Sequence, residues 1–193
     1  MTQSEKPLED MLVVLDACVL YSAPLRDFVL NLGEIKLYQP KWTIILQDEW
    51  VRNLLKNRPD LPESNLLKVV KAMNNTFPNA LVKDFEHLIE NIILPDADDA
   101  HVVACAIKAN AKQIVTFNLK DFPAKTLTTY DLKAIHPDKF IIDLLEINPQ
   151  KVVQAFKNQV LSLRNPPLSQ EKVLEKLEIC GLVQSIKLLK TLL

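Results

Sequence analysis

Carboxylates carry the chemistry in this sequence, and they fall at the ends and starts of its apolar segments. Asp16 closes the apolar run Met11-Leu12-Val13-Val14-Leu15. Glu49 sits within the amphipathic stretch from Thr43 to Leu54. Asp96, Asp98 and Asp99 open a second amphipathic stretch, Pro95-Asp96-Ala97-Asp98-Asp99-Ala100-His101-Val102-Val103-Ala104. Asn118 and Asp121 follow a further apolar run, Ile114-Val115-Thr116-Phe117. Carboxylates gathered in one cleft repel one another and require a compensating positive charge. Oxygen-only ligands select a hard cation such as Mg²⁺ or Mn²⁺, and a carboxylate-held divalent cation is a common device for phosphodiester hydrolysis.

The elements that must position these residues read as alternating strands and helices. Residues 11–16 form a short, wholly apolar strand of the kind buried in a parallel sheet. The spacing predicts a helix over 22–32, with Ser22 as N-cap and Gly33 as its stop. Thr43 caps the next helix, whose apolar stripe is Leu46, Trp50 and Leu54. Residues 66–73 read as helical, and Pro78 marks a break before a helix over 80–90. Ile92-Ile93-Leu94-Pro95 reads as a short strand or sheet edge. A helix from Asp98 or Asp99 to about Asn110 carries Val102, Val103 and Ala106 on the face of Asp99, which turns that carboxylate inward. Residues 113–117 read as a strand and 126–129 as a last short one. After His136-Pro137 the pattern is helical only, over 138–145, 149–163, 169–179 and 182–192, with Pro149 at N1, Ser169 as an N-cap and a break at Asn165-Pro166-Pro167.

The expected architecture is therefore α/β, a central and mostly parallel sheet flanked by helices, followed by an all-helical extension. It divides into a lead-in over residues 1–10, a sheet domain over 11–136 and the extension over 137–193. Ligands of open α/β sheets bind outside the carboxyl ends of the strands, where Asp16, Thr116 and Asn118 would lie.

Bulk properties agree with this reading. A chain of 193 residues, 48% apolar and 24% charged, suits one compact domain with a modest extension. The formal net charge is only −1, but its distribution is uneven. From Lys151 onward seven basic residues face three glutamates, whereas no Lys or Arg lies between Lys83 and Lys108, where Asp84, Glu86, Glu90, Asp96, Asp98 and Asp99 fall. An acidic segment beside a basic tail suits a metal site next to a polyanion contact. With only Gly33 and Gly181 as glycines, a Walker phosphate loop and a GxGxxG dinucleotide loop are excluded. Cys18, Cys105 and Cys180 have no zinc spacing and read as reduced thiols of a cytosolic protein. The polar start and the absence of any apolar run near ~18 residues predict a cytoplasmic protein without a membrane span.

Asp16 stands in Leu-Asp-x-x-Val-Leu, Glu49 in Asp-Glu-Trp-x-x-Asn-Leu, Asp96 and Asp99 in Pro-Asp-x-x-Asp-x-His, and residues 116–122 read Thr-Phe-Asn-Leu-Lys-Asp-Phe. In these four motifs the chain resembles the PIN-domain nucleases, and within them the bacterial VapC-like toxins. The likeness runs in order from about Leu12 to Tyr130. The tail, with Ala134-Ile135-His136-Pro137-Asp138 and Asn165-Pro166-Pro167-Leu168, is similar to the C-terminal helical extension of some members. The resemblance implies a PIN-like fold and a metal-dependent endoribonuclease, the toxin of a toxin–antitoxin pair. It implies one or two Mg²⁺ or Mn²⁺ ions, an RNA substrate, an antitoxin partner and self-association as a dimer. Its acidic quartet maps onto Asp16, Glu49, Asp99 and the position of Asn118 or Asp121. Asn118 departs from the pattern, standing where many relatives carry Asp, and Asp96 would compensate from the other side. In the mechanism so implied, Asp16 and Asp99 mainly hold the metal, with Glu49, Asp96 and the Asn118 side-chain oxygen as further ligands, Thr116 hydrogen-bonds Asp16 or a phosphate, and Arg26, Arg52 and Lys120 are the candidate phosphate contacts. His101, Trp42 and Trp50 read as packing residues.

Other readings compete. A HAD-type phosphatase needs a second Asp where this chain has Cys18, and a receiver domain needs its paired acids after the first strand, not at 98 and 99. A catalytically inert PIN-fold scaffold, binding RNA or protein, is the remaining alternative. In the tail, Val173, Leu177, Ile186, Leu189 and Leu193 define an apolar face that the domain itself, a second copy or an antitoxin must cover.

Overall fold

The apolar run before Asp16 forms β1 (Leu12–Leu15), in which Val13, Val14 and Leu15 are fully buried. The computed structural model describes residues 11–164 and 166–193; the expected lead-in over 1–10, and Asn165 of the expected break, lie outside the described residues. Among the described residues the sheet has four strands, all parallel, in the order β2 (Gln39–Lys41), β1, β3 (Gln113–Val115), β4 (Lys133–Ile135). The apolar strands β1 and β3 take the centre, where both faces are covered. The polar β2 and β4 take the edges, where Gln39 and Lys133 meet water.

Helices fill every crossover. α1 (Ala17–Tyr21) and α2 (Ala23–Glu34) join β1 to β2. α3 (Ile44–Asn57), α4 (Glu63–Thr76), α5 (Glu86–Ile89) and α6 (Ala100–Lys108) join β2 to β3. α7 (Ala124–Thr128) precedes β4. Then come α8 (Pro137–Ile147), α9 (Pro149–Ser162), α10 (Gln170–Ile179) and α11 (Val183–Lys190). Tight 3₁₀ turns at Ala97–Asp99 and Leu119–Asp121 carry acidic residues into the site. Thr43 and Ser169 cap α3 and α10 as their types predict, accepting from Leu46 N at 3.2 Å and Lys172 N at 3.3 Å.

Several expected elements differ. The first helix begins directly after Asp16, and Ser22 stands at the α1–α2 junction without a side-chain cap. Gly33 does not stop α2, which runs to Glu34; the reversal falls at Lys36, with φ 60°. Gly33 is instead a close-packing position, since a Cβ there would lie 3.1 Å from Phe77 Cε1. The helix expected over 80–90 shrinks to α5, because Asp84 takes φ 56°. Ile92 to Pro95 is not a strand: Ile92 is buried while Ile93 is 84% exposed. Residues 126–129 lie at the end of α7, not in a strand, and the last strand follows at β4.

The extension is built into the same core. Phe156 of α9 meets Phe28 of α2 edge-on at 6.2 Å, and Phe140 of α8 meets Tyr38 at 5.1 Å. Such pairs add about 0.5–1.5 kcal/mol beyond burial. Gln159 Nε2 donates to Pro24 O at 2.8 Å. The start of α11 is capped from α8: the amides of Gln184 and Ser185 donate to the Asp138 carboxylate at 3.0 and 2.8 Å. Val173, Leu177, Ile186 and Leu189 are buried in the common core, so the domain itself covers most of the tail's apolar face, and Leu193 stays 39% exposed. Trp42 and Trp50 are fully buried. Among the described residues no helix is long and apolar enough to cross a membrane.

Candidate active site

β2 lies on one side of β1 and β3 on the other, so the connections leaving β1 and β3 diverge and open a crevice at their carboxyl ends. Asp16 stands in that crevice. Its amide donates to Val115 O at 3.1 Å, which ties it to β3, and Thr116 N donates in turn to Ile135 O at 3.0 Å. The Asp16 side chain is held from two directions: Thr116 Oγ1 donates to Oδ2 at 2.6 Å, and Cys18 Sγ donates to the same oxygen at 3.0 Å. Thr116 Oγ1 also accepts from Asn118 N at 3.0 Å. Burial raises the Asp16 pKa above its ordinary value, the hydrogen bonds from Thr116 and Cys18 oppose it, and the charge of Glu49 raises it further. Burial, and then the Asp16 charge, push Cys18 up to about 12, so it remains a thiol and a donor.

A second group of carboxylates gathers at the head of α6. Asp96 Oδ1 accepts from Asp98 N at 3.0 Å and so caps the Ala97–Asp99 turn. Asp96, Asp99 and Asp121 each offer one carboxylate oxygen, and these lie within 4.8 Å of one another. Asp99 is the centre of the field. Burial, then the charges of Asp16, Asp96, Asp121 and Glu49 in that order, push its pKa up to about 6. Its Oδ2 is buried without a hydrogen-bond partner.

This donor set fits a hard divalent cation. Carboxylate oxygens in mutual reach, an unpaired buried oxygen and mutual repulsion are the conditions a cation corrects.

Glu49, on α3, stands at the edge of the same field. Its Oε2 lies 3.5 Å from His101 Nε2, the imidazole belonging to α6, and His101 Nδ1 is buried without a partner. His101 is thus more than a packing residue, since it spans the helix of Glu49 and the helix that follows Asp99. No spacing in the sequence points from residue 49 to residue 101, because the contact is made between helices. Of the two candidates for the fourth position, Asp121 lies with Asp96 and Asp99, and the backbone amide of Asn118 donates to Thr116 Oγ1. Asp98 is exposed and outside the cluster.

The three expected phosphate contacts divide. Arg52 and Lys120 are exposed, Arg52 three residues after Glu49 on α3 and Lys120 next to Asp121. Arg26 is a correction. It is buried, donates to Leu20 O at 2.8 Å, and its guanidinium lies 4.7 Å from the Trp50 ring centroid, so it braces α2 against α3 and is not presented to a substrate. A cleft of about 610 Å³ lined by Gly33, Tyr38, Pro40 and Phe77 opens beside the start of β2 and contains none of the site carboxylates.

Comparison with known proteins gives two family matches. The model described as PIN domain matches residues 12–120, and the one described as VapC50 C-terminal domain matches residues 137–191. Among curated proteins, the chain is 37% identical over 79 residues to "Putative ribonuclease VapC50" of Mycobacterium tuberculosis (strain ATCC 25618 / H37Rv). That match covers 41% of this chain and 47% of the relative, so it spans about half of the relative's length. No solved structure matches the chain.

Proposed function

We propose that this chain, which belongs to the PIN-domain family, is an endoribonuclease that hydrolyses RNA phosphodiester bonds with Mg²⁺ or Mn²⁺. The observation that carries the reading is the meeting of Asp16, Glu49, Asp96, Asp99 and Asp121 at the carboxyl ends of β1 and β3, with Asp99 pushed up to about 6 by burial and then by the charges of the others. Residues 11–136 are the nuclease domain and 137–193 its helical extension. The name of the curated relative and the match of the extension support a toxin of a toxin–antitoxin pair. Such a toxin acts in the cytoplasm as a dimer and is restrained by an antitoxin protein.

Asp96, Asp99 and Asp121 would hold the cation, with Asp16 and Glu49 facing it. A divalent cation in such a cluster neutralises the phosphate's charge and acidifies a water molecule. The residues supply the rest. Thr116 and Cys18 fix the Asp16 carboxylate in one rotamer, so the site is set before substrate arrives. Glu49, steadied by His101, orients the attacking water through its carboxylate. Arg52 and Lys120 receive the flanking phosphates from the rim, where exposed cations bind RNA without reading its sequence.

The test is cleavage of total RNA by the purified protein with Mg²⁺ or Mn²⁺, with EDTA, and with Asp16→Asn and Asp99→Asn variants alongside. Discrete fragments that vanish in EDTA and in both variants are expected. Cleavage retained by the variants, or none by the unmodified protein with either metal, would overturn the reading.

A further inference from the structure

We propose that the helical extension is a positioning part of the active site, its α10–α11 turn clamping the segment 116–121 that brings Asp121 to the other carboxylates. The inference rests on reading those carboxylates as a cation site, and it assigns the extension a role in assembling it.

Two contacts hold the Phe117 ring, and two more fasten the turn behind it. Gly181, in the turn, has φ +92°, and a Cβ there would lie 3.1 Å from Phe117 Cε1 and 3.8 Å from Cζ. The position thus admits glycine for its conformation and again for its closeness to the ring. Next to it, Cys180 Sγ lies 2.9 Å from Ser22 Oγ at the α1–α2 junction. His136, which precedes α8, also meets the Phe117 ring, edge-on at 5.0 Å. Asp138 of α8 caps α11, so the helices that flank the turn are fastened to each other.

Phe117 passes this constraint to the chemistry. Its amide donates to Cys18 Sγ at 3.4 Å, the thiol that also donates to Asp16. The next amide, of Asn118, donates to Thr116 Oγ1, and Asp121 N donates to Asn118 O at 3.1 Å, closing the turn that aims the Asp121 carboxylate. A ring pinned between Gly181 and His136 therefore sets where Asp121 stands relative to Asp96 and Asp99. Ile179 and Val183, on either side of the turn, are 85% and 55% exposed and take no part in the clamp.

The experiment compares the full chain with Gly181→Ala, Phe117→Leu, the double variant and Ile179→Ser. It measures hydrogen exchange of the 117–122 amides in metal-free protein and affinity for Mn²⁺ alone. In folded Gly181→Ala, faster exchange at 117–122 and about tenfold weaker Mn²⁺ binding are expected. Adding Gly181→Ala to Phe117→Leu should have a smaller effect on both quantities than Gly181→Ala has alone, because the ring it strikes is gone and only the strain of the turn at φ +92° is left. Ile179→Ser should match the unmodified protein in both. If Gly181→Ala does not fold, Cys180→Ala, which removes the thiol at Ser22 and leaves the backbone alone, takes its place with the same expected loss. Unchanged exchange and affinity in the folded variant, or an equal loss in both Phe117 backgrounds, would overturn the clamp. Absence of both Mn²⁺ binding and RNA cleavage in the unmodified chain would sink the nuclease reading instead, and the exchange data would still decide the clamp.

Discussion

Replacing Asp99 by Asn should stabilise the metal-free protein while removing its affinity for metal. Burial, with the neighbouring carboxylates, moves the Asp99 pKa from 3.8 to about 6. Each tenfold change in acidity is about 1.4 kcal/mol, so the full shift would be roughly 3 kcal/mol. Asp99 is partly open to water, and screening reduces this to about 1–2 kcal/mol. The sign follows from the direction of the shift. Below the unfolded value both states are protonated and the charge costs nothing. As pH rises to about 6 the unfolded chain ionises more readily than the folded one, so stability falls, and above about 6 the whole penalty is present. Urea unfolding in EDTA should therefore find Asp99→Asn more stable at pH 8, with the difference closing by about pH 4. With saturating Mn²⁺ the order should reverse, because only the unmodified protein gains the binding energy, about 2.7 kcal/mol at a hundredfold excess over Kd. A variant less stable than its parent in EDTA at pH 8, or a difference independent of pH, would show that Asp99 is not held under electrostatic strain.

Four further outcomes are expected. Thr116→Val removes the donor at 2.6 Å from Asp16 and should cost about 1–3 kcal/mol in thermal unfolding, with RNA cleavage down about 10–100-fold. Asp121→Asn should weaken Mn²⁺ binding measured by calorimetry, whereas Asn118→Ala, whose backbone amide is retained, should change it little; the reverse result would return Asn118 to the metal. His101→Ala should lower kcat by about 3–10-fold through loss of Glu49 orientation while KM for RNA stays nearly constant, and rescue by His101→Gln would identify the hydrogen-bonding nitrogen as the active part. Asp138→Ala uncaps α11 and should cost about 1–2 kcal/mol in urea titration, with amides of Gln184 and Ser185 losing protection from exchange.

Those parts of the fold that rest on long apolar periodicity were readable in the chain: β1, β3, α3, α6 and the four helices of the extension. β2 was not, because Gln39-Pro40-Lys41 is a three-residue edge strand with neither an apolar run nor alternation. The threonines at 126, 128 and 129 suggested a strand, yet the chain is helical there and pairs with β3 only at Lys133–Ile135, after Leu132 is buried. Asp84 stopped a helix that its neighbours favour by adopting a left-handed conformation, an event that no periodicity announces. Asp96 and Asp99 could be picked out in sequence as acids at a helix start, but such acids also serve as caps, as Asp96 does here, and only their joint pattern with Asp16 and Glu49 pointed to one cluster. The approach of Asp121 to Asp96 and Asp99 was not readable, since it depends on the 3₁₀ turn Leu119–Asp121. Arg26 misled for a general reason: a basic residue looks alike in sequence whether it faces solvent or lies on a tryptophan ring.

The pairing of Phe28 with Phe156 has a consequence for synthesis. The two rings are separated by most of the described chain, and α2 cannot complete its apolar face until α9 has been translated. A ribosome-bound chain that already carries Asp16, Glu49, Asp99 and Asp121 therefore still lacks the surface that seats its first helices. During translation those four residues are present in the chain before the core that holds them has closed. The site therefore takes its folded geometry late, after α9 has packed on α2.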